Sequence, residues 1–464
     1  MKIIIVGGGT TGWSAAASLS LVKNASIIVI EPKDIPIIGV GESTIPHLNM
    51  FHAQCKLPFN DMNWLNEVTG TMKLGIEFDN FFEKDSSWFH PFISLSHLHR
   101  DYAALDELIK NPNQNEYEFV MNNFQHGKMI KSGYIECTNS HIKGNSVAYH
   151  IDAVKYSSLL KRECLKRNNI TLIDSYVVDC EVEKNSVKTL LLNDGTKISA
   201  DLIIDCTGFN SIFANKMDNP WVSFSDRLIV DAAIVVQLDY TDKEKQLKNY
   251  TYCRGMNAGW SWRIPLQNRL GFGYNYASRY VDDAEAEREF KNHLVEYYGY
   301  DPNNINFRKI KYLPGIRKEF WKGNVVCMGL SCFFVEPIEA TAITTTQKMI
   351  NHLKQLLDAD HIKIENKKKQ FNNILSQAVV AITEYIELHY SLTKRDDTEF
   401  WKYYKNKPKS EIQKNIMRKY STREFTDADI KPLLPYHNIF NYGSWAFQFA
   451  AANVELEINL INTA

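Results

Sequence analysis

The chain opens on an unbroken apolar run, Ile3-Ile4-Ile5-Val6, and repeats it at Ile27–Ile30 after an Ala/Ser-rich stretch from Trp13 to about Leu21. Runs without polar alternation belong to parallel strands covered on both faces. The pattern predicts strand, tight turn, helix and strand, one βαβ unit with a right-handed crossover. From about 106 to 147 the positions turn polar, with Asn111-Pro112-Asn113-Gln114-Asn115 and repeated Asn and Lys. That composition predicts irregular loops with room for one helix. Beyond it, Asp152–Arg167 reads as a helix, and Thr171–Val182 and Thr189–Leu192 read as strands around the turn Asn193-Asp194-Gly195. Asp201–Asp205 is a further apolar strand, stopping at Cys206-Thr207-Gly208, and residues 228–238 and 270–276 suggest a second sheet carrying large aromatic side chains. In the last third, Phe371, Leu375, Ala378, Ile382, Tyr385 and His389 recur at spacings of four and three, the mark of an amphipathic helix. The expected class is α/β, α+β overall. Residues 1–345 form a first module with the polar insertion at 106–147, and a mostly helical region, 346–464, packs against the sheets. No internal repeat or low-complexity linker interrupts this pattern.

With 464 residues, 44% of them hydrophobic, the chain can bury a large core. A net charge of -1 provides no global field for nucleic acid, and the Lys-rich segment at 363–369 does not alter that. The longest mainly apolar stretches, Ile3–Val6, Ile27–Ile30 and Phe333–Val335, fall far below the roughly 20 residues of a spanning helix, so no membrane span is expected. Met1 leads almost directly into Ile3 without the basic and apolar regions of a signal peptide. The eight cysteines are scattered, with no Cys-x-x-Cys pair, which suits free thiols in a reducing, cytoplasmic setting. His97 and His99 are the closest His pair and have no Cys or carboxylate at zinc-site spacing, so no metal is expected. A nearly neutral, aromatic-rich chain is compatible with a homo-oligomer, but nothing in it specifies a symmetry.

The first chemical motif is Gly7-Gly8-Gly9-Thr10-Thr11-Gly12, between a predicted strand and a predicted helix. In that context Gly7 permits a tight turn, Gly9 lets the backbone approach a pyrophosphate, and Gly12 lets helix and strand pack closely. The helix N-terminus supplies N–H groups to the anion. Glu31, at the end of the second strand, is placed to accept from ribose hydroxyls. The motif alone does not separate FAD from NAD. Two later returns from strand to small-residue turn, Asp201–Gly208 and Gly323–Gly329, favour FAD, because large flavoproteins assemble the flavin site from such distant segments.

More specific segments follow. Trp260-Ser261-Trp262-Arg263-Ile264-Pro265 fits a WxWxIP signature, and Gly39-Val40-Gly41-Glu42-Ser43-Thr44-Ile45-Pro46 fits GVGE-x-T-x-P. GGGTTGW at 7–13, KLGIEF at 73–78, WFHPF at 88–92, DCTGF at 205–209 and EPIEATAI at 336–343 follow in order. On these segments the chain resembles the flavin-dependent halogenases of the tryptophan halogenase family over about residues 1–400. The resemblance implies an FAD-binding GxGxxG fold of the flavoprotein-monooxygenase type, with a second sheet and a helical C-terminal region. It implies that FADH2 meets O2 to form a C4a-hydroperoxide, and that a bound chloride, bromide or iodide attacks it to release hypohalous acid. That oxidant then passes through an internal tunnel to a small electron-rich aromatic of indole or phenol type. A separate flavin reductase supplies the FADH2.

The same resemblance assigns roles. Lys73 in KLGIEF matches the family's catalytic lysine, acting either as an ammonium that hydrogen-bonds the oxidant's oxygen or as a transient N-halo amine. Glu339 matches the second catalytic residue, a carboxylate that stabilises the cationic ring intermediate and takes its proton; Glu336, just before Pro337, is its rival. Many relatives carry Ser after this Glu, whereas this chain has Ala340. Thr341 and Ala342 fall where backbone amides hold the halide. His90 and Phe92 match substrate-stacking positions, and Trp260 and Trp262 match residues that shape the site nearer the flavin. On a strand, all four would also be ordinary core residues. Gly7, Gly8, Gly9, Thr10, Thr11, Gly12, Glu31, Glu42, Gly329, Leu330 and Ile343 are the implied FAD contacts. An FAD-dependent aromatic monooxygenase is the alternative; that class usually has Gly-Asp-Ala at the third flavin turn, where this chain has Gly329-Leu330-Ser331. A flavin-binding protein that has lost catalysis is a third reading, hinted at only by Ala340. The length is short for a tryptophan halogenase, with the deficit in the C-terminal part. Residues that grip the tryptophan backbone in relatives have no secure counterpart here, and Tyr403, Tyr404 and Trp445 are candidate lining residues.

Overall fold

The computed structural model describes residues 1–33, 42–111, 115–143, 147–430 and 439–454. Residues 39–41 of the GVGE segment lie outside them. The chain forms two compact units, each assembled from three separated segments. Residues 1–68, 151–226 and 313–379 make the first, and residues 69–150, 227–312 and 380–464 the second.

The first unit is built on a six-stranded sheet in the order Trp321–Lys322, Val325–Cys327, Leu202–Asp205, Lys2–Val6, Ser26–Ile30, Ile170–Ile173. All neighbours are parallel except the edge pair formed by Trp321–Lys322. Ile3 lies opposite both Leu202 and Ile27, and Ile3, Ile4 and Ile5 are fully buried, as expected of a strand covered on both faces. Helix Thr10–Leu19 covers this sheet, packed between helices Ala153–Cys164 and Ala342–Asp358. It begins at Thr10, inside the glycine motif, three residues before the predicted start. The segment predicted as one strand from Thr171 divides in two. Ile170–Ile173 extends the parallel sheet, while Val177–Glu183 turns away to pair with Ser186–Leu192 in a separate antiparallel sheet.

The second unit centres on a seven-stranded sheet, Arg308–Lys311, Ala232–Leu238, Leu270–Tyr276, Gly259–Pro265, Thr251–Gly255, Gly75–Asp79, Ser87–Pro91. Its one parallel pairing joins Thr251–Gly255 to Gly75–Asp79. Thr71–Lys73 pairs separately and antiparallel with Ala148–Ile151. The polar stretch 106–147, predicted as irregular loops with room for one helix, is more helical than that: it completes helix Leu98–Lys110 and contains helices Glu116–Asn123, Gln125–Lys131 and Asn139–Lys143. Capping explains this. The Asn115 side chain accepts from Glu118 N and starts one helix, and Asp101 accepts from Gln125 N at the start of the next. Composition conceals such helices because their stability comes from caps and tertiary contacts rather than from a long apolar stripe. Helix Tyr442–Ala451 packs on strand Ser87–Pro91 and on helix Leu98–Lys110.

The amphipathic segment is helix Ile364–Ser391, and Phe371, Leu375, Ala378, Ile382, Tyr385 and His389 are all buried. Its first half belongs to one unit and its second half to the other. From Ala381 to Ser391 every residue is buried, including Glu384 and Glu387. Those two carboxylates are matched within the second unit by Arg227, at 2.8 Å from Glu384 and 2.6 Å from Glu387, and by Lys407 at 2.5 Å from Glu387. All eight cysteines are free thiols. Among the described residues no helix is long and apolar enough to cross a membrane, and no group of His, Cys, Asp or Glu could hold a metal ion.

Candidate active site

In the first unit the glycine motif forms a cradle with little tolerance for side chains. Gly7 has φ 109°, and a Cβ there would lie 2.3 Å from the Cys206 carbonyl oxygen. A Cβ on Gly12 would lie 1.8 Å from the Gly7 carbonyl oxygen. Around Gly9, by contrast, a Cβ would meet nothing within 4 Å, and no side chain caps the helix that Gly9 begins. A helix N-terminus that is open and uncapped has its first N–H groups available to an anion. The Ser157 hydroxyl donates to Gly8 O at 2.9 Å and steadies the loop from below. Glu31 lies against Gly8 and accepts from Lys161 Nζ at 2.7 Å, an ion pair that the spacing rule for the carboxylate does not anticipate.

The two distant returns reach this loop. Cys206 lies against Gly7, and Gly329, at φ 63°, lies so close to Thr11 that a Cβ would be 2.5 Å from its hydroxyl. Ser331 Oγ donates to Asp205 O at 2.6 Å and ties the two returns together. Leu330 follows Gly329 in the short 3-10 turn Gly329–Ser331. These residues fit a dinucleotide. Since the Gly12 clash is with backbone, Gly12→Ala is expected to open the turn and weaken FAD binding by at least about tenfold, read by titration of flavin fluorescence. Unchanged affinity would place the flavin elsewhere.

Glu42 is a further implied FAD contact. Burial, and then the like charge of Asp152, push its carboxyl up to about 7 from an ordinary 4.5. Asp152 is itself fixed as the cap of helix Ala153–Cys164, accepting from Val154 N and Lys155 N. A carboxyl whose folded value is raised contributes stability that is complete below 4.5 and is lost as pH rises towards 7. The stability gained by flavin-free Glu42→Gln over the parent is therefore expected to grow between these values and level off above. Chemical denaturation at several pH values measures it, and a pH-independent difference would contradict the shift.

Glu339 ends the 3-10 turn Pro337–Glu339 and is 1% exposed; Glu336 precedes the turn and is 0% exposed. The next residue, Ala340, takes the left-handed conformation, φ 56° and ψ 35°, and its N–H closes the turn onto Pro337 O at 2.9 Å. Thr341 then caps helix Ala342–Asp358 without using its side chain. The Thr341, Thr344 and Thr345 hydroxyls are buried without hydrogen-bond partners. Unpaired first-turn amides beside unsatisfied hydroxyls suit a small anion at Thr341 and Ala342. Ile343 is the second residue of the same helix.

Lys73, His90, Phe92, Trp260 and Trp262 are all in the second unit. Lys73 is fully buried on its short strand, and its Nζ stands 5.1 Å from the centroid of the Phe92 ring. A buried lysine is rare, and the ring face is a favourable surface for its cation. His150, on the partner strand, bridges Thr71 Oγ1 and Thr251 Oγ1, each at 2.9 Å. Burial, then the charges of Lys73 and Arg263, hold the His150 imidazole well below its usual value. His90 meets Ser444 Oγ at 3.2 Å and lies among Trp88, Tyr385 and Phe447, with ring centroids 5.9 to 6.4 Å away. Trp260 and Trp262 share one face of their strand, centroids 5.7 Å apart, and Gly273 leaves room for the Trp262 ring. Of the candidate lining residues, Tyr404 hydrogen-bonds Ile229 N and Arg227 O, and Trp445 packs on Tyr385.

The tryptophan halogenase family model matches residues 2–457. The chain belongs to the tryptophan halogenase family. The match runs well past residue 400, where the recognisable motifs thin out. Tryptophan 7-halogenase RebH of Lentzea aerocolonigenes is 29% identical over 428 residues, covering 86% of this chain and 78% of its own. The 7-chloro-L-tryptophan 6-halogenase KtzR of Kutzneria sp. is 29% identical over 432 residues, 88% of this chain and 82% of its own. Among solved structures, a flavin-dependent halogenase of Xanthomonas campestris superimposes with TM-score 0.83 at 26% identity, covering 98% of this chain and 89% of its own. Tryptophan 6-halogenase SttH of Streptomyces toxytricini gives TM-score 0.86 at 25% identity over 98% and 91%. As a member of the tryptophan halogenase family the protein is a flavin-dependent halogenase, and FAD and a halide are its cofactor and co-substrate. The hydroxylase alternative is not favoured, and the mixed α/β fold with a helical C-terminal region is the expected one.

Proposed function

We propose that this halogenase uses Lys73 and Glu339 to place a halogen on a small electron-rich aromatic of indole or phenol type. When bound, reduced FAD together with O2 supplies the oxidising equivalents that convert a halide into hypohalous acid; a separate flavin reductase provides FADH2. Gly7 to Gly12 hold the pyrophosphate, Glu31 and Glu42 flank the nucleotide, and the Thr341 and Ala342 amides hold the halide. Trp260 and Trp262 shape the site, and helices from 346 onward cover the substrate.

The observation that carries this reading is Lys73, fully buried in KLGIEF with its ammonium over Phe92. An ammonium held there donates a hydrogen bond to the oxygen of hypohalous acid, which polarises the O–X bond. The carbon–halogen bond forms as O–X breaks, the departing hydroxide takes a proton from the Lys73 ammonium and leaves as water, and Glu339 takes the proton lost by the ring. His90 and Phe92 present aromatic faces to the substrate. The activity is tested with a flavin reductase, FAD, NADH, a panel of indoles and phenols, and chloride, bromide or iodide. Products whose mass depends on the halide supplied support the reading; oxygenated products formed without halide overturn it.

A further inference from the structure

Lys73 is the last residue of strand Thr71–Lys73, and Gly75 begins the next strand, so Leu74 joins two strands that pair with different partners. One edge of Thr71–Lys73 is covered by Ala148–Ile151. On the other edge stands Asn249, two positions before strand Thr251–Gly255. Its side-chain Nδ2 donates to Met72 O at 3.1 Å, and its backbone O accepts from Leu74 N at 2.7 Å. In an extended chain the C=O of one residue and the N–H two residues on face the same edge. Asn249 thus takes both backbone groups that flank Lys73 on that edge.

The side-chain amide is fully engaged. Its Oδ1 accepts from Ile135 N at 2.7 Å, and Nδ2 donates to Ile135 O at 2.9 Å as well as to Met72 O. An amide nitrogen has two hydrogens, and both are used. The two-point pairing with Ile135 copies that of a peptide group in a sheet and ties the segment between helices Gln125–Lys131 and Asn139–Lys143 to the Lys73 strand. Asn249 is 2% exposed, so these bonds are shielded from competing water. Leu74 carries the connection on, because its O accepts from Phe92 N at 2.9 Å. The circuit closes through space, where Lys73 Nζ stands 5.1 Å from the Phe92 ring centroid. All of these residues belong to the second unit.

We propose that Asn249 is a positioning residue for halogen transfer: it fixes the backbone on both sides of Lys73 and, through Leu74, the backbone of Phe92. This rests on the assignment of Lys73 above. Asn249 touches no reacting atom. It holds the mounting of the ammonium and of the ring, where a shift of about 1 Å can cost about a hundredfold in rate.

The test uses the full-length protein with FAD, reductase, halide and substrate, and compares Asn249→Leu, Asn249→Ser and Lys73→Met. Leucine keeps the branched shape of asparagine but makes none of its side-chain hydrogen bonds. Two quantities are read: hypohalous acid released without aromatic substrate and caught by a chemical trap, and halogenated product formed per oxidant made, at rising concentrations of the aromatic. Asn249→Leu is expected to release oxidant at the parent rate but to lower product per oxidant at least about tenfold, and to keep that deficit at saturating aromatic. Should the Leu variant not fold, Asn249→Ser is read in the same way, since its hydroxyl is too short to span Met72 and Ile135 together. Parent-like product per oxidant, whether or not oxidant release has fallen, would overturn the role of Asn249. A deficit that vanishes at saturating aromatic would overturn it too, because that is the mark of weakened substrate binding. Parent-like product from Lys73→Met would instead overturn the assignment of Lys73, on which the role of Asn249 rests.

Discussion

Lys73→Met is expected to lower halogenated product by about 10³-fold while FAD binding and halide-dependent oxidant release persist. The separation follows from which groups are replaced. Lys73 belongs to the second unit, whereas the glycine cradle and the Thr341–Ala342 turn belong to the first. Methionine has nearly the length of lysine, and its sulfur packs well on an aromatic ring, so the buried space beside Phe92 stays filled. Removing a buried charge also spares the fold a desolvation cost. Lys73→Arg is expected to fail as well, because a planar guanidinium does not fit where a compact ammonium is enclosed. Mass spectrometry of product beside trapping of free oxidant measures both halves of the prediction. Undiminished product would remove Lys73 from the mechanism.

Glu339→Gln is expected to reduce turnover about 10²-fold, with FAD affinity and melting temperature close to those of the parent. Glutamine keeps the shape of the side chain in the tight turn between Pro337 and left-handed Ala340, but it cannot take up the ring proton. Glu336→Gln provides the comparison. Both carboxylates are buried three residues apart, and only one should show a kinetic defect without a stability defect. If Glu336→Gln carried the kinetic loss and Glu339→Gln did not, the two roles would be exchanged.

The parts of this molecule that sequence makes legible are those with short-range physical rules. Ile3–Val6 and Ile27–Ile30 read as buried parallel strands because no polar residue interrupts them, and they pair in that way. Gly7, Gly9 and Gly12 read as a nucleotide loop because each answers a separate steric demand, and the Cβ clashes at Gly7 and Gly12 match two of those demands. The helical tail was visible from the spacing of Phe371 through His389. What escaped notice depends on partners far away in the chain. Asp101 and His150 are single polar residues in unremarkable surroundings, and their meaning arises only when Ser94, Gln125 and Thr251 are brought to them. The helices from Glu116 to Lys131 were hidden by an Asn- and Lys-rich composition whose caps became apparent only in three dimensions. The left-handed turn at Ala340 carries no glycine to announce it.

The threefold segmentation of each unit bears on how the protein is made. As the chain leaves the ribosome, Lys2–Val6 and Ser26–Ile30 emerge early, but the neighbour Leu202–Asp205 comes some two hundred residues later and Val325–Cys327 later still. The second unit likewise waits for helix Tyr442–Ala451 to cover Ser87–Pro91. The first sheet lacks strands until residue 327 is made, and the second lacks its covering helix until residue 451, so partly built sheets with open edges persist through much of synthesis. Slow translation or low temperature should therefore favour soluble yield less than a chaperone that shields those edges until the last helices arrive.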